Sequence, residues 1–255
     1  MKILLLGGTA EAQELARHLQ AWDAVYSLAG ATESPIISGL STRIGGFGGV
    51  DGLAVFLRDG QFTHVIDATH PFASQMKRHV DLAVLTSKIA AIHLIRPAWD
   101  IEGIERVADL VAACMALQTG ARVFLALGSR HSETFQMRLD VAFLVRSIDP
   151  KTDRAPFTYV TGRPPYSVEE EVTTLQKHRI DTVVLRDSGG SQGQSKLVAA
   201  RQLGLRLILI DRPEPPSGLV VSSVAEVLVW LGEEQAKWLA ASSRPRRASR
   251  KERRS

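Results

Sequence analysis

Short runs of β-branched and leucine residues alternate along the chain with longer segments in which apolar residues recur at helical spacing. This alternation is typical of βαβ units and predicts parallel sheets covered by helices. In the first half the pattern predicts strands at residues 3–6, 24–29, 42–44, 64–67 and 90–95. In the second half it predicts strands at residues 122–126, 141–145, 157–160, 182–186 and 206–210. Each half is therefore expected to form its own sheet.

Helical spacing of apolar residues predicts the elements that connect these strands. The predicted helices cover residues 10–20, 50–59, 74–87, 105–118, 133–138, 167–178, 196–203 and 224–239. The fold class that follows is α/β, with two Rossmann-like lobes of mostly parallel sheet and a cleft between them. We expect an N-terminal dinucleotide-binding lobe over residues 1–100, a C-terminal α/β lobe over 101–240 and a basic, disordered tail over 241–255. The chain is expected to cross between the lobes within residues 96–107.

The positive charge of the chain is concentrated at its end, which changes what the composition implies. Residues 244–255 hold seven Arg or Lys and one Glu, a local charge of +6, whereas the whole chain carries +4. The remainder is near −2, so a basic face for nucleic acid is not indicated. A single cysteine, Cys114, fits a reducing compartment, and no apolar stretch is long enough to span a bilayer. We expect a cytoplasmic protein that binds neither nucleic acid nor membrane and is a monomer or weak homo-oligomer.

The first predicted strand runs into the turn Gly7-Gly8-Thr9 and then into a helix with Glu11 in its first turn. Glycine lets the backbone approach a diphosphate, and the free N–H groups of a helix start can bind its oxygens. The usual Gly-x-Gly-x-x-Gly spacing is absent, so a turn without a ligand also fits this segment. The second strand ends in residues 28–32 without a carboxylate, which leaves room for a 2′-phosphate that Arg43 could bind. NADPH is therefore the expected cofactor.

Two further loops follow predicted strands, at the sheet edge where open α/β folds bind their ligands. The first contains Gly45, Gly46 and Phe47 in a run of four glycines around one aromatic ring. This ring can lie across a planar ligand, or the segment can be a connector. The second loop contains Thr69-His70-Pro71 and follows Asp67. We expect it to contact the nicotinamide ribose and amide; the alternative is a structural histidine and an aspartate that caps the next helix.

Arginines follow strand ends in the second half, and Arg96 does so at the end of the first half. The others are Arg130, Arg163, Arg186 and Arg212. Each taken singly could be a surface ion-pair partner, but five at equivalent positions predict a cationic cleft, because a guanidinium binds carboxylates through two hydrogen bonds. Lys196 opens a helix after the glycine-rich segment 188–195 and is expected to face the same cleft, unless it is merely solvated. The expected partner is a substrate with several carboxylates.

Metal-dependent and hydrolytic chemistry are poorly supported. The seven histidines show neither the paired spacing nor the cysteine partners of a zinc site, so no metal site is predicted. The Gly-x-Ser-x-Gly spacing of a nucleophile elbow occurs at residues 189–193, inside the glycine-rich segment that precedes Lys196, and is interpreted as part of that loop.

With these segments in view, the chain resembles the precorrin-6A reductase family of cobalamin biosynthesis. The resemblance rests on residues 7–11, 45–49, 67–73, 96–99 and 188–196, and the run Asp-Ala-Thr-His-Pro-Phe-Ala at 67–73 is the specific one. It implies reduction of one carbon–carbon double bond in the macrocycle of precorrin-6A to give precorrin-6B. NADPH would supply the hydride, and a proton would be added at the neighbouring carbon.

The resemblance, added to the positions of the loops, implies roles for the residues already singled out. The cofactor-binding set is Gly7, Gly8, Thr9, Glu11, Gly45, Gly46, Phe47, Thr69, His70 and Pro71. The substrate-binding set, facing a polycarboxylate tetrapyrrole, is Arg96, Trp99, Arg130, Arg163 and Lys196. His70 and Lys196 are the catalytic candidates, and solvent is a third candidate for the source of the proton.

Three alternatives remain at this point. The first is a reductase for the cobalt-containing form of the same substrate, since a metal inside the macrocycle need not touch the protein. The second is a dinucleotide-binding module without catalysis, against which the strand-end arginines argue. The third is a reductase or epimerase for sugar nucleotides, which commonly needs a Tyr-x-x-x-Lys pair; none of Tyr26, Tyr159 and Tyr166 has a lysine four residues on.

Overall fold

The computed structural model describes residues 1–30, 39–87, 89–191 and 193–242. From Ser243 onward the predicted basic tail lies outside the described residues. So do Ala31 and Thr32, at the predicted end of the second strand.

Two six-stranded sheets form the centre of the described structure. The strands of the first sheet are β1 (Lys2–Leu6), β2 (Asp23–Leu28), β3 (Ser41–Ile44), β4 (His64–Asp67), β5 (Ala90–Leu94) and β12 (Leu219–Val221). Those of the second sheet are β6 (Glu105–Val107), β7 (Arg122–Ala126), β8 (Ala142–Ser147), β9 (Phe157–Thr161), β10 (Thr182–Arg186) and β11 (Arg206–Ile210). All neighbouring pairs in both sheets are parallel. The predicted α/β class with two lobes is confirmed.

Helices connect the strands and cover both faces of each sheet. They are α1 (Ala10–His18), α2 (Gly49–Asp59), α3 (Ser74–Ser87), α4 (Leu110–Ala116), α5 (Val168–Lys177), α6 (Gln194–Gln202) and α7 (Val224–Ser242), with a 3-10 helix over Ser129–Phe135. Side chains cap several starts: Thr9 accepts from the N–H of Ala12, and Ser167 forms a capping box with Glu170. The starts of α1 and α5 thus lie where a side chain satisfies a backbone N–H group that the helix leaves free.

Apolar side chains of the central strands are buried on both faces, as parallel sheets require. In β1, Ile3 and Leu5 join a cluster with residues of α1 and α7, whereas Leu4 and Leu6 join one with residues of α2 and α3. In β7, Val123 and Leu125 face α4, whereas Phe124 faces α5 and α6. This alternation holds each sheet between two helical layers and leaves the carboxyl ends of the strands for ligands.

The order of strands shows that the two lobes exchange their outermost strands. The first sheet has the order β3-β2-β1-β4-β5-β12, and the second has β9-β8-β7-β10-β11-β6. Both match the 3-2-1-4-5-6 order of doubly wound dinucleotide-binding sheets. The sixth position of the second sheet is filled by β6, which follows the fifth strand of the first lobe. The sixth position of the first sheet is filled by β12, which follows the fifth strand of the second lobe.

This exchange corrects the predicted division of the chain. Residues 219–240 were expected in the C-terminal lobe, but β12 pairs with β5, and Val224, Val227 and Leu231 of α7 belong to the core of the first sheet. All ten predicted strands are found, whereas β6 and β12 were missed because three-residue strands carry too little pattern. The predicted helix at 105–118 is wrong at its start, where β6 lies at the edge of the sheet. The expected crossing near residues 96–107 is present between β5 and β6.

Candidate active site

The first lobe has its topological switch point between β1 and β4, which are neighbours in the sheet and lead into helices on opposite faces. Such a point opens a crevice at the carboxyl ends of the strands. A small cavity lies there, lined by Thr9, Glu11, Ala68, Thr69, Pro71, Leu94 and Arg96. The predicted turn after β1 and the predicted loop after β4 therefore meet at one place.

Gly7 and Gly8 form the turn for two different steric reasons. A Cβ on Gly7 would stand 2.2 Å from Cε2 of Tyr26, whose buried ring packs under the turn. Gly8 has a φ of +111°, and a Cβ there would meet no atom within 4 Å. The N–H of Gly8 donates to the Tyr26 hydroxyl at 3.2 Å. The turn is thus held from below by Tyr26, while open space lies above Gly8 for a ligand.

Thr9 joins the turn to the loop after β4. Its hydroxyl donates to the carbonyl of Ala68 at 2.7 Å and accepts from the N–H of Ala12 at 3.1 Å. Two roles were open to Thr9, helix cap and phosphate donor. Because its hydroxyl is already hydrogen-bonded within the protein, the contacts support the role of helix cap.

The loop after β3 is organised around Arg43. Its guanidinium lies 4.0 Å from the centroid of the Phe47 ring, donates to the carbonyls of Gly45 and Gly46, and reaches the Ser27 hydroxyl of β2 at 3.5 Å. Within the described chain no carboxylate forms an ion pair with Arg43. The Phe47 ring therefore holds the guanidinium of Arg43 near the end of β2. Arg43 covers the ring face that was predicted to contact a planar ligand.

Asp67, at the end of β4, holds the Thr69-His70-Pro71 loop from inside the protein. The carboxylate is fully buried and accepts from the Thr69 N–H at 3.0 Å, the Thr69 hydroxyl at 2.6 Å, Lys77 Nζ at 3.2 Å and His93 Nδ1 at 2.8 Å. Burial alone would raise the pKa of Asp67. The hydrogen bond from His93 and the charges of Lys77 and His93 outweigh burial and lower the pKa from 3.8 to about 2. The loop thus rests on an aspartate that is ionised at neutral pH.

This hydrogen-bond network continues beyond Asp67 to the segment between β11 and β12, where the chain returns from the second lobe to the first. His93 Nε2 lies 2.9 Å from Asp81 Oδ1, and Oδ2 of Asp81 accepts from the Ser217 N–H at 2.9 Å. Both ring nitrogens of His93 therefore face carboxylate oxygens. The sequence showed Asp67 at the end of a strand. The one sequence signal for its buried partners was the polar His93 inside an otherwise apolar strand.

His70 stands in this loop as a neutral imidazole. Its Nδ1 accepts from the N–H of Phe72 at 3.2 Å, so its remaining proton is on Nε2. Burial, followed by the charges of Arg186, Arg96, Lys77 and Arg212, lowers the pKa of His70 from 6.5 to about 3. At neutral pH the ring can donate a hydrogen bond from Nε2, but it holds no acidic proton for transfer. These observations do not support the predicted role of His70 as proton donor.

Two of the five strand-end arginines join the lobes to each other. Arg96 donates to Glu11 at 2.8 Å and to the Ser188 carbonyl at 2.7 Å. Arg212 donates to the carbonyls of Arg96, Pro97 and Asp187 at 2.7–2.9 Å. Their guanidinium groups are occupied by protein oxygens. The expectation that all five line an anion-binding cleft needs correction for these two.

Asp187 and Trp99 complete this junction. The buried Asp187 accepts from the Trp99 backbone N–H at 3.0 Å and pairs with Arg106 at 2.8 Å. The indole N–H of Trp99 donates to the Gly190 carbonyl at 2.9 Å. Trp99 therefore holds the glycine-rich loop that precedes Lys196, rather than standing free for substrate.

Arg186, Lys196 and Arg163 differ from these arginines in their surroundings. Arg186 ends β10 and lies over the Phe72 ring of the first lobe at 5.1 Å. In the described structure Lys196 Nζ has no hydrogen bond or ion pair. Burial lowers the pKa of Lys196; the charge of Glu171 raises it, and the charges of nearby arginines lower it. Arg163 is exposed after the edge strand β9, three strands from β10, or about 14 Å away across the sheet. The side chain of Arg130 lies outside what the structure describes.

Neither a metal cluster nor a membrane span is found in the part of the chain that is described. There is no group of three or more His, Cys, Asp or Glu side chains suited to hold an ion among those residues. Likewise, none of the described helices combines the length and apolarity needed to cross a bilayer.

The first lobe is a doubly wound sheet with a glycine turn at its switch point, and a charged junction joins it to the second lobe. These features place the protein in the class of Rossmann-like α/β proteins with a site between two lobes. Within that class, the chain belongs to the precorrin-6x reductase CbiJ/CobK family, whose model matches residues 2–232. It is therefore an oxidoreductase, and the resemblance seen in the sequence is confirmed.

Curated relatives and a solved structure agree with this assignment. The chain is 41% identical to the precorrin-6A reductase of Rhodobacter capsulatus over 244 residues, which cover 92% of this chain and 97% of that protein. It is 27% identical to the cobalt-precorrin-6A reductase of Synechocystis, with 88% and 94% covered. The solved structure of CobK precorrin-6A reductase matches with a TM-score of 0.86 at 40% identity, covering 91% of this chain and 97% of that one.

Proposed function

We propose that this chain reduces one carbon–carbon double bond in the macrocycle of precorrin-6A, giving precorrin-6B in cobalamin biosynthesis. The observation that carries the proposal is the identity of 37–41% to precorrin-6A reductases over nine-tenths of the chain. Identity to the cobalt-precorrin-6A reductases is 26–27%. This difference favours the metal-free substrate, and the cobalt form is the alternative.

NADPH is the cofactor that the residues fit. Its diphosphate would lie against Gly7, Gly8 and the start of α1, where open space adjoins Gly8. Arg43, which has no carboxylate partner among the described residues and reaches Ser27 near the end of β2, would bind the 2′-phosphate. Thr69 and Pro71 would line the nicotinamide end, near Arg96 and its partner Glu11. When bound there, NADPH supplies the hydride.

Lys196 is the proposed proton donor, because His70 is neutral. Reduction of the double bond places a hydride on one carbon and a proton on its neighbour, so one acidic group is required. Burial lowers the pKa of Lys196, which makes its ammonium a stronger acid than a solvated lysine. The Nε2–H of His70 would donate a hydrogen bond to cofactor or substrate and fix its position.

A single assay tests the reaction. Purified protein is mixed with NADPH and metal-free precorrin-6A, and cofactor oxidation is followed together with the spectrum of the pigment. We expect equimolar consumption of NADPH and formation of the reduced pigment, with slower turnover when NADH replaces NADPH. Faster turnover of the cobalt-containing substrate would assign the chain to the alternative reaction. Cofactor binding without turnover of either substrate would exclude the reductase proposal.

A further inference from the structure

Arg186 carries a partly buried cationic group for which the described protein offers no anion. Its Nε is shielded from solvent and has no hydrogen-bond partner, and its Nη1 lies 3.1 Å from Nε2 of His131, a group without negative charge. None of the ion pairs in the described structure includes Arg186. A guanidinium keeps its proton in proteins, so the charge persists. An unpaired buried charge is unfavourable, which indicates that the missing anion comes from a ligand.

The position of Arg186 shows where that ligand would lie. The residue ends β10, next to β7, and these two strands form the switch point of the second sheet. Its guanidinium lies 5.1 Å from the centroid of Phe72, and the backbone N–H of Phe72 donates to His70. Phe72 also packs against the core of the second lobe. Arg186 therefore faces the Thr69-His70-Pro71 loop of the first lobe across the cleft.

The other arginines at this edge show why Arg186 is distinct. Arg96 and Arg212 are engaged by Glu11 and by backbone carbonyls. Arg146, near the end of β8 and two strands away from β10, pairs with the buried Glu171 at 2.6 Å. Arg186 has no such partner among the described residues, and its Nε is shielded from solvent.

We propose that Arg186 binds a carboxylate of the substrate, through Nε and a terminal nitrogen, and that the Nε2–H of His70 donates to the same ligand. The inference rests on the proposed function, which makes that carboxylate an acetate or propionate side chain of the tetrapyrrole. The guanidinium fork matches a carboxylate with two parallel hydrogen bonds. Binding there fixes one edge of the macrocycle between β10 and the Thr69-His70-Pro71 loop, beside the nicotinamide end of the cofactor site.

The test compares Arg186→Gln with Arg186→Lys and with a matched control, Arg122→Gln. Arg122 starts β7 and is therefore at the opposite edge of the sheet. Steady-state kinetics give KM for precorrin-6A and for NADPH, and thermal unfolding of the ligand-free proteins gives their stability. For R186Q we expect KM for precorrin-6A to rise about ten- to hundredfold, with KM for NADPH changed by less than about twofold. R186K should recover part of the loss, and R122Q should match the wild type.

Unfolding separates a binding role from a structural one. Loss of an unpaired buried charge should leave the ligand-free R186Q as stable as the wild type or more stable. A lower unfolding temperature of R186Q together with equal loss of affinity for both ligands would overturn the proposal, because Arg186 would then hold the fold. An unchanged KM for precorrin-6A would overturn it as well.

A binding experiment keeps this inference separate from the reductase proposal. Uroporphyrin, a tetrapyrrole with acetate and propionate side chains, is titrated into each protein while tryptophan fluorescence is followed. Weaker binding to R186Q than to the wild type and R122Q supports the carboxylate site even if precorrin-6A is not turned over. Equal binding to all three, or no binding to the wild type, contradicts it.

Discussion

At the scale of single residues, Asp67 links the stability of the protein to pH. Its pKa is 3.8 in the unfolded reference and about 2 in the folded protein, so its contribution is present above pH 3.8 and is lost as pH falls towards about 2. We expect the free energy of unfolding to fall by about 2 kcal/mol across that window from this group alone. Chemical denaturation at a series of pH values measures the fall.

The variant Asp67→Asn removes the carboxylate but leaves Lys77 and His93 buried. It should destabilise the protein by about 3–5 kcal/mol at neutral pH, because the buried ammonium group of Lys77 loses its ion-pair partner. The exposed Asp59, paired with Arg58 on the surface of α2, is the control, and Asp59→Asn should change stability by less than about 1 kcal/mol. Equal effects of both variants would contradict the role assigned to Asp67.

Arg43 is expected to decide the preference for NADPH over NADH. In Arg43→Gln we expect KM for NADPH to rise about tenfold, because a hydrogen-bonded charge pair with the 2′-phosphate is lost. KM for NADH should change little, since NADH lacks that phosphate. The exposed Arg58 on the neighbouring α2 provides the control Arg58→Gln. A parallel rise for both cofactors would place Arg43 outside the phosphate site.

Lys196 is expected to govern the proton step rather than binding of the cofactor. Lys196→Gln should lower kcat by about a hundredfold and leave KM for NADPH near its original value. In the wild type, activity should fall on the alkaline side at a pH below the usual lysine pKa of 10.5, because burial lowers the pKa of Lys196. That limb should disappear in the variant, and the control Lys177→Gln, at the end of α5, should retain it.

At the scale of elements, the turn between β1 and α1 depends on the ring beneath it. In Gly7→Ala the new methyl would stand 2.2 Å from Cε2 of Tyr26, so the buried ring or the turn must move. We expect a loss of about 1–3 kcal/mol in unfolding free energy and weaker NADPH binding. Gly232→Ala is the control, since this helical glycine meets no atom within 4 Å, and its replacement should stabilise α7 by about 0.5–1 kcal/mol.

At the scale of the whole molecule, the exchanged strands make the two lobes depend on each other. A chain that ends after Arg212 would lack β12 and α7, whose Val224, Val227 and Leu231 are buried in the first lobe. Their loss removes about 5 kcal/mol of apolar burial, a large part of the stability of a typical domain. We expect this truncated chain to be insoluble or unfolded by circular dichroism.

A chain that ends after Ser242 keeps every described helix and strand and serves as the control for this truncation. It should fold and retain reductase activity. A folded, soluble product from the shorter chain would show that the first lobe does not need the exchanged elements.

The sequence by itself determined the ten longer strands, the α/β class and the loops that carry the site. These features depend on local pattern, because apolar periodicity reports an element and parallel connections place its following loop at one sheet edge. For that reason the Gly7-Gly8-Thr9 turn and the Thr69-His70-Pro71 loop were found without coordinates. The strands β6 and β12, with three residues each, carried too little pattern to be recognised.

Only the tertiary structure decided which lobe contains β12 and α7 and which partners each charged residue has. Arg96 and Arg186 both stand at the carboxyl ends of strands, yet Arg96 meets Glu11, 85 residues away in sequence, whereas Arg186 meets no carboxylate among the described residues. Likewise, the neutral state of His70 follows from burial and from cations of both lobes. Partners and dielectric surroundings are set by packing between distant segments, so the chemistry of a charged side chain cannot be read from its place in the chain alone.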